Sequence, residues 1–311
     1  MAAMSLLCVV AALFLEQLRP LSHPTVFELA FDRYAGRVAQ HFNAGEAFHG
    51  AIGWSLGVVP WVVVVLVVQD GLTALNPLLG WAFAVAVLYA CINFKPATQS
   101  YASIADALRA GELDRARELL ARWRGEAPAP WSEAEIARAA LETILVHAYR
   151  DLLAVIAWFV VLPVPVGAVL YKLSAFLADK WGRRADEEFG AFGHFASRAL
   201  WLLDWVPLRL TAIGFAVAGD LEDALHCWRT QARSWPDPEA GVILASGAGA
   251  LGARLGGPLA SERGVNYRPA LGTGDEPDAN YMQSALGLVW RTLVIWLIVL
   301  LLVTLARWVG A

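Results

Sequence analysis

Arg209 stands five residues after Asp204, inside an apolar run from Val206 to Ala218. A guanidinium there needs a partner or a water-filled cavity. It either contacts an anion such as a phosphate or closes a structural pair, with Asp204 or with a carboxylate on a neighbouring helix. The structural pair is the preferred expectation, because ion-pair networks also place charges in such settings. Arg138 and Glu142 are one helical turn apart. An i,i+4 pair worth about 0.3–0.5 kcal/mol is the plain reading, and a ligand contact is its alternative. Arg254, Gly256 and Gly257 close a Gly-rich stretch whose backbone N–H groups could face a phosphate. No Gly-Lys-Ser/Thr follows, so close packing of small residues is the better expectation. His23, His41, His49, His147, His194 and His226 show no HExxH or similar spacing. Cys8, Cys91 and Cys227 likewise show no ligand spacing, so buried inert thiols and no metal site are expected.

These side chains have to be positioned by membrane helices. The 311 residues are 58% hydrophobic and 17% charged, with a mean hydropathy of +0.51. A soluble domain has about 45–50% apolar and about 25% charged residues. The excess lies in long runs, which excludes a disulfide scaffold, a disordered chain and a conventional soluble enzyme. A net charge of −4 leaves no basic footprint for nucleic acid. The chain reads as an all-α polytopic membrane protein of about 4–5 membrane segments, forming one domain over residues 1–311, with the lipid bilayer as its solvent. Runs of about 20 apolar residues place spans near 4–18, 49–68, 77–94, 152–170 and 286–308. Polar regions fill 95–151 and 179–281.

The polar regions carry helices too. Ile104, Leu108, Leu113, Leu119, Leu120 and Trp123 recur with two short amphipathic helices joined at Ala110-Gly111. Ser132 with Glu135 reads as a capping box opening a helix over Glu133–Arg150. A helix-like segment runs through Leu203. Gly241 to Gly257 holds ten Gly or Ala in seventeen residues, a density that permits close helix packing. The first two loops hold three and eight basic residues, which places them in the cytoplasm. Pro163 and Pro165 interrupt the 152–170 run, and a hairpin bent there is preferred to a single crossing.

Ala107-Leu-Arg-Ala-Gly-Glu-Leu-Asp-Arg-Ala-Arg-Glu-Leu-Leu120 and Ile136-Ala-Arg-Ala-Ala-Leu-Glu142 resemble the CobD/CbiB family of cobalamin biosynthesis. So do Ala168-Val-Leu-Tyr-Lys172, Leu203-Asp-Trp-Val-Pro-Leu-Arg209, Pro238 to Gly257, Tyr267-Arg-Pro-Ala-Leu-Gly272 and His23-Pro24. The resemblance implies membrane-bound adenosylcobinamide-phosphate synthases, which join a corrinoid carboxylate to an aminopropanol unit. Several polar positions depart from that pattern. Val146, His147, Arg150 and Asp151 stand where the synthases have an E-N-x-x-D-G element, and Ala178 and Leu244 replace further polar residues. Tyr149 to Phe159, Gly167 to Tyr171 and Leu203 to Arg209 are similar to the AmpE branch of the superfamily.

The resemblance and its departures together imply an inner-membrane, multi-pass AmpE-like signalling or accessory protein without synthase chemistry and without a cofactor. Its ligand-binding candidates are Arg138, Glu142, His147, Tyr171, Asp204, Arg209 and Arg254, and a small molecule or a signalling protein would be its partner. The alternative is an active synthase that handles a corrinoid or a divalent metal, with Asp151, Asp179 and Glu239 as the obvious substitutes for the vacated positions.

Overall fold

The computed structural model describes residues 2–21, 25–127, 129–162, 165–182, 190–261 and 264–309. The helices in chain order are α1 (Ala2–Leu18), α2 (Val26–Phe42), α3 (Ala47–Leu75), α4 (Pro77–Cys91), α5 (Lys95–Arg109), α6 (Leu113–Arg124) and α7 (Glu133–Ala148). A single π-helical turn, Tyr149–Leu153, carries α7 straight into α8 (Ala154–Val161). Then come α9 (Val166–Leu177), α10 (Gly190–Ala218), α11 (Leu221–Gln231), α12 (Pro238–Leu251) and α13 (Ala279–Val309). Between the last two lie four short strands, β1 (Leu255–Gly256), β2 (Leu259–Ser261), β3 (Gly264–Asn266) and β4 (Ala270–Leu271), in two antiparallel pairs, β1–β4 and β2–β3. The all-α reading therefore holds apart from these strands of two or three residues.

Five stretches are long and apolar enough to cross a membrane: Ala47–Leu75, Pro77–Arg109, Glu133–Val161, Ala191–Ala218 and Ala279–Val309. Val59, Val63, Val64 and Val67 of α3 are exposed, as are Val294, Ile298, Val299, Leu301 and Leu302 of α13. Apolar surface this continuous is stable only against lipid. Two expectations are corrected. The span placed near 152–170 begins earlier and ends sooner, as the helix from Glu133 to Val161, and α9 starts afresh at Val166, so the break falls at the bend of the preferred hairpin. Pro165 supplies no N–H to a continuing ladder, and α8 packs directly on α9. Gly167 permits that contact, because a Cβ there would lie 1.9 Å from the Trp158 carbonyl oxygen. Pro163 lies outside the described residues. The segment expected to end near Leu203 continues to Ala218 through Pro207, and Arg198, Asp204 and Arg209 had masked its apolar length.

The chain divides into two compact units. The first holds Met1–Asn93 and Ala154–Pro207, the second Phe94–Leu153 and Leu208–Ala311. In the first, α3 packs against α2, α4 and α9, and α1 against α4 and α8. Gly50 of α3 sits where a Cβ would lie 2.3 Å from the Phe192 carbonyl oxygen, so the helix surface there has room only for glycine. In the second, α7 is central, packed on α5, α6, α12, α13 and β1. Ile136, Ala137, Ala139, Ala140, Leu141, Ile144 and Leu145 are all fully buried, as befits a helix that is apolar on nearly every side. The small-residue helix α12 lies on α11 and α7, with Gly247 against Leu145.

Candidate functional site

The start of α7 is fixed by Ser132. Its hydroxyl accepts from the Glu135 N–H, and the Glu135 carboxylate accepts from the Ser132 N–H, a complete capping box. From that start the 3.6-residue period brings Arg138 and Glu142 onto one face, and both are buried. They do not pair with each other, contrary to the plain i,i+4 expectation. The facing segment gives the reason. α12 ends at Gly252 in the left-handed conformation, and the chain then reaches Gly256 and Gly257, with φ of 71° and 74°. An L side chain rarely adopts that backbone, and a Cβ at Gly256 would lie 2.0 Å from the Pro269 carbonyl oxygen.

This turn competes successfully for both α7 side chains. Glu142 Oε1 accepts from the Gly256 N–H at 2.8 Å, and Glu142 Oε2 accepts from Arg268 Nη1 at 2.5 Å. Arg138 Nη2 donates to the Pro258 carbonyl at 2.8 Å, and Arg268 Nε donates to the Gly257 carbonyl at 3.2 Å. The Arg268 guanidinium also lies 5.3 Å from the centre of the Trp235 ring. Two guanidinium groups and one carboxylate thus converge on the glycine turn, Arg268 paired with Glu142 and Arg138 bonded to the turn's backbone, all three nine-tenths buried or nearly so. Arg138 Nε and Arg268 Nη2 are shielded from solvent and have no hydrogen-bond partner among the described residues.

Two further polar pairs belong to the same unit. His147 Nδ1 lies 2.7 Å from Asp151 Oδ2, and the imidazole stacks on Trp123 with ring centres 5.6 Å apart. The pair straddles the start of the π-turn, a feature found often at functional sites. Arg150 Nη2 lies 3.9 Å from Asp237 Oδ2. Asp237 caps α12 by accepting from the Glu239 and Ala240 N–H groups. Burial alone would raise its pKa, but the bonds with Glu239 and Ala240 and the Arg150 charge hold it below the usual carboxylate range.

The other sequence candidates have surroundings of their own and, among the described residues, make no side-chain bond to Arg138, Glu142 or Arg268. In the first unit Tyr171, fully buried, donates to Asp204 Oδ1 at 2.9 Å. Arg209 and Arg254 are exposed. The phosphate cradle considered for Arg254, Gly256 and Gly257 is already engaged: their N–H groups donate to Asp275 O, Glu142 Oε1 and Pro269 O. Among the described residues no three His, Cys, Asp or Glu side chains could together hold a metal ion. Sequence reasoning missed Arg268, Trp235 and Asp237. Arg268 lies 126 positions from Glu142, and no local spacing could have joined them.

Fold and site together define a polytopic helical membrane protein with a buried ionic cluster held by a glycine turn. Residues 5–289 match the family described as CobD/Cbib protein. The chain belongs to that family. It is 38% identical over 302 residues to the cobalamin biosynthesis protein CobD of Stutzerimonas stutzeri, covering 95% of this chain and 96% of the relative. The cobalamin biosynthesis protein CobD of Chromobacterium violaceum is 36% identical over 220 residues, covering 71% and 70%. That of Rhodobacter capsulatus is 31% identical over 253 residues, covering 77% of each chain. No solved structure matches. These relatives overturn the AmpE-like signalling reading. Substitutions at a handful of polar positions do not outweigh the likeness of the whole chain to proteins named for cobalamin biosynthesis.

Proposed function

We propose that this protein acts in cobalamin biosynthesis in the bacterial cytoplasmic membrane, as an adenosylcobinamide-phosphate synthase joining a corrinoid carboxylate to an aminopropanol unit. The observation that carries the reading is the 38% identity to a named cobalamin biosynthesis protein over nearly the full length of both chains. Amide formation must expel one carboxylate oxygen, so the carboxylate's charge is offset while a phosphoryl donor of the nucleoside-triphosphate class converts that oxygen into a leaving phosphate, and the attacking amine must lose a proton. Arg138 and Arg268 offer the first function, with Glu142 fixing Arg268. His147 offers the second: with Nδ1 protonated and held by Asp151, Nε2 is left as the acceptor. The described carboxylates and imidazoles do not make a metal-ligand set, so no step is derived through a metal.

The test is genetic. A bacterial strain lacking its own synthase and supplied with cobyric acid should regain cobalamin-dependent growth on receiving this gene. His147→Ala should abolish that growth while leaving the protein in the membrane. Failure of the unaltered gene, expressed and membrane-inserted, would remove the synthase reading.

A further inference from the structure

The ionic cluster on α7 has a charge imbalance that its internal bonds do not resolve. Of the two permanently charged guanidinium groups, Arg268 pairs with Glu142 and Arg138 pairs with no carboxylate among the described residues, which leaves one positive charge nine-tenths buried. Backbone carbonyls at Gly257 and Pro258 accept one N–H each, yet Arg138 Nε and Arg268 Nη2 remain without acceptors. A buried charged donor left unmet is among the costlier arrangements a fold can hold. Among the described residues Glu142 is the one carboxylate paired with either arginine, and it already accepts twice. The missing component is therefore an acceptor that carries negative charge and presents more than one oxygen. Gly257 brings the turn close to Arg138: a Cβ there would lie 3.2 Å from Arg138 Nη1, a separation tighter than most Cβ contacts, so only glycine lets the guanidinium and the turn approach this closely.

We infer that Arg138 and Arg268 form the receiving site of a small oxyanion, the chemistry shared by a phosphate and a carboxylate, beside the Gly256-Gly257-Pro258 turn. Its occupant takes the open N–H groups of both arginines and cancels the residual charge. Glu142 acts as a positioning residue: it holds Arg268 and limits the site to a net charge of one. The inference concerns the cluster on which the proposed synthase reading rests, so its test is one of binding and leaves the growth experiment standing by itself.

The full-length protein in detergent is unfolded by heat at pH 7 with sodium phosphate, sodium acetate or sodium chloride at matched ionic strength. A ligand that binds only the folded state raises Tm in a saturable way. Phosphate or acetate should do so where chloride does not; a response to phosphate alone identifies a phosphate-bearing occupant, and to acetate alone a carboxylate. Arg268→Gln and Arg138→Gln should each raise the half-saturating concentration about tenfold or more, the worth of a charge-assisted bond. Glu142→Gln keeps the acceptor for Gly256 and removes the competing charge, so it should lower that concentration. Should the variants not fold, the wild-type protein still decides the matter: a saturable response to phosphate or acetate beyond chloride supports the site and its absence overturns it. No saturable response beyond chloride, or a half-saturation unmoved by all three substitutions, overturns the site.

Discussion

Glu142 and Arg268 meet at 2.5 Å although 126 positions separate them, and the contact ties α7 to the loop that precedes α13. Both side chains are at least nine-tenths buried, so the pair is strongly coupled to its surroundings. Removing one partner leaves the other as an uncompensated buried charge, which costs about 3–5 kcal/mol. Glu142→Ala should therefore lower Tm and membrane abundance sharply. The double change with Arg268→Ala should recover part of the loss. Thermal unfolding of the four proteins of that cycle measures the coupling.

Gly256 is the hinge of the same contact. With φ at 71° and a Cβ position 2.0 Å from the Pro269 carbonyl oxygen, no side chain fits without moving β1 away from β4. Gly256→Ala should therefore cost at least as much as the about 1 kcal/mol typical of a left-handed position, and more if the Glu142 bond is lost with it. Limited proteolysis should show the 255–271 segment cut faster than in the wild type.

Tyr171 and Asp204 form a buried pair of another kind, a phenol donating to a carboxylate. Tyr171→Phe removes the donor and keeps the packing volume. An expected loss of about 1–3 kcal/mol follows from leaving a buried acceptor short of a bond. Tyr171→Phe should lower Tm more than the exposed control Tyr267→Phe measured alongside it.

Asp237 contributes to the pH dependence of stability. Its folded pKa lies below the unfolded value of 3.8, so its contribution is fully present above about that pH and is lost as pH falls through the folded value. Asp237→Asn should flatten the acid limb of the Tm-against-pH curve below pH 4 while leaving the shape near neutrality unchanged. An acid limb identical to that of the wild type would show that the Arg150 contact and the cap bonds do not favour the ionised form.

Cys227 is fully buried, and burial is the first cause of its raised thiol pKa. Cys8 and Cys91 are buried too, and all three are free. Thiol reagents should leave the folded protein unlabelled at neutral pH and label all three on unfolding.

Periodicity and composition by themselves determined the membrane class, the capped start of α7, the two amphipathic helices meeting at Ala110-Gly111 and the crowded small-residue helix α12. Each is a local property, written in apolar spacing or in a residue three positions away. The sequence also supplied Arg138 and Glu142 as candidates, because charge within a largely apolar helix is visible at once. It could not supply their partners. The i,i+4 rule pairs them along the helix, whereas the tertiary structure turns each outward to a glycine turn more than 110 positions away. The same limit concealed the break at Val161 and the continuation of α10 past Leu203, where packing against neighbours outweighs local hydropathy. Arg268 lies in the Tyr267–Gly272 segment that carries the family resemblance, yet nothing in the sequence marks it as a site residue: an arginine in a loop is ordinarily solvated, and only the burial imposed by α7, β1 and Trp235 makes it part of a site.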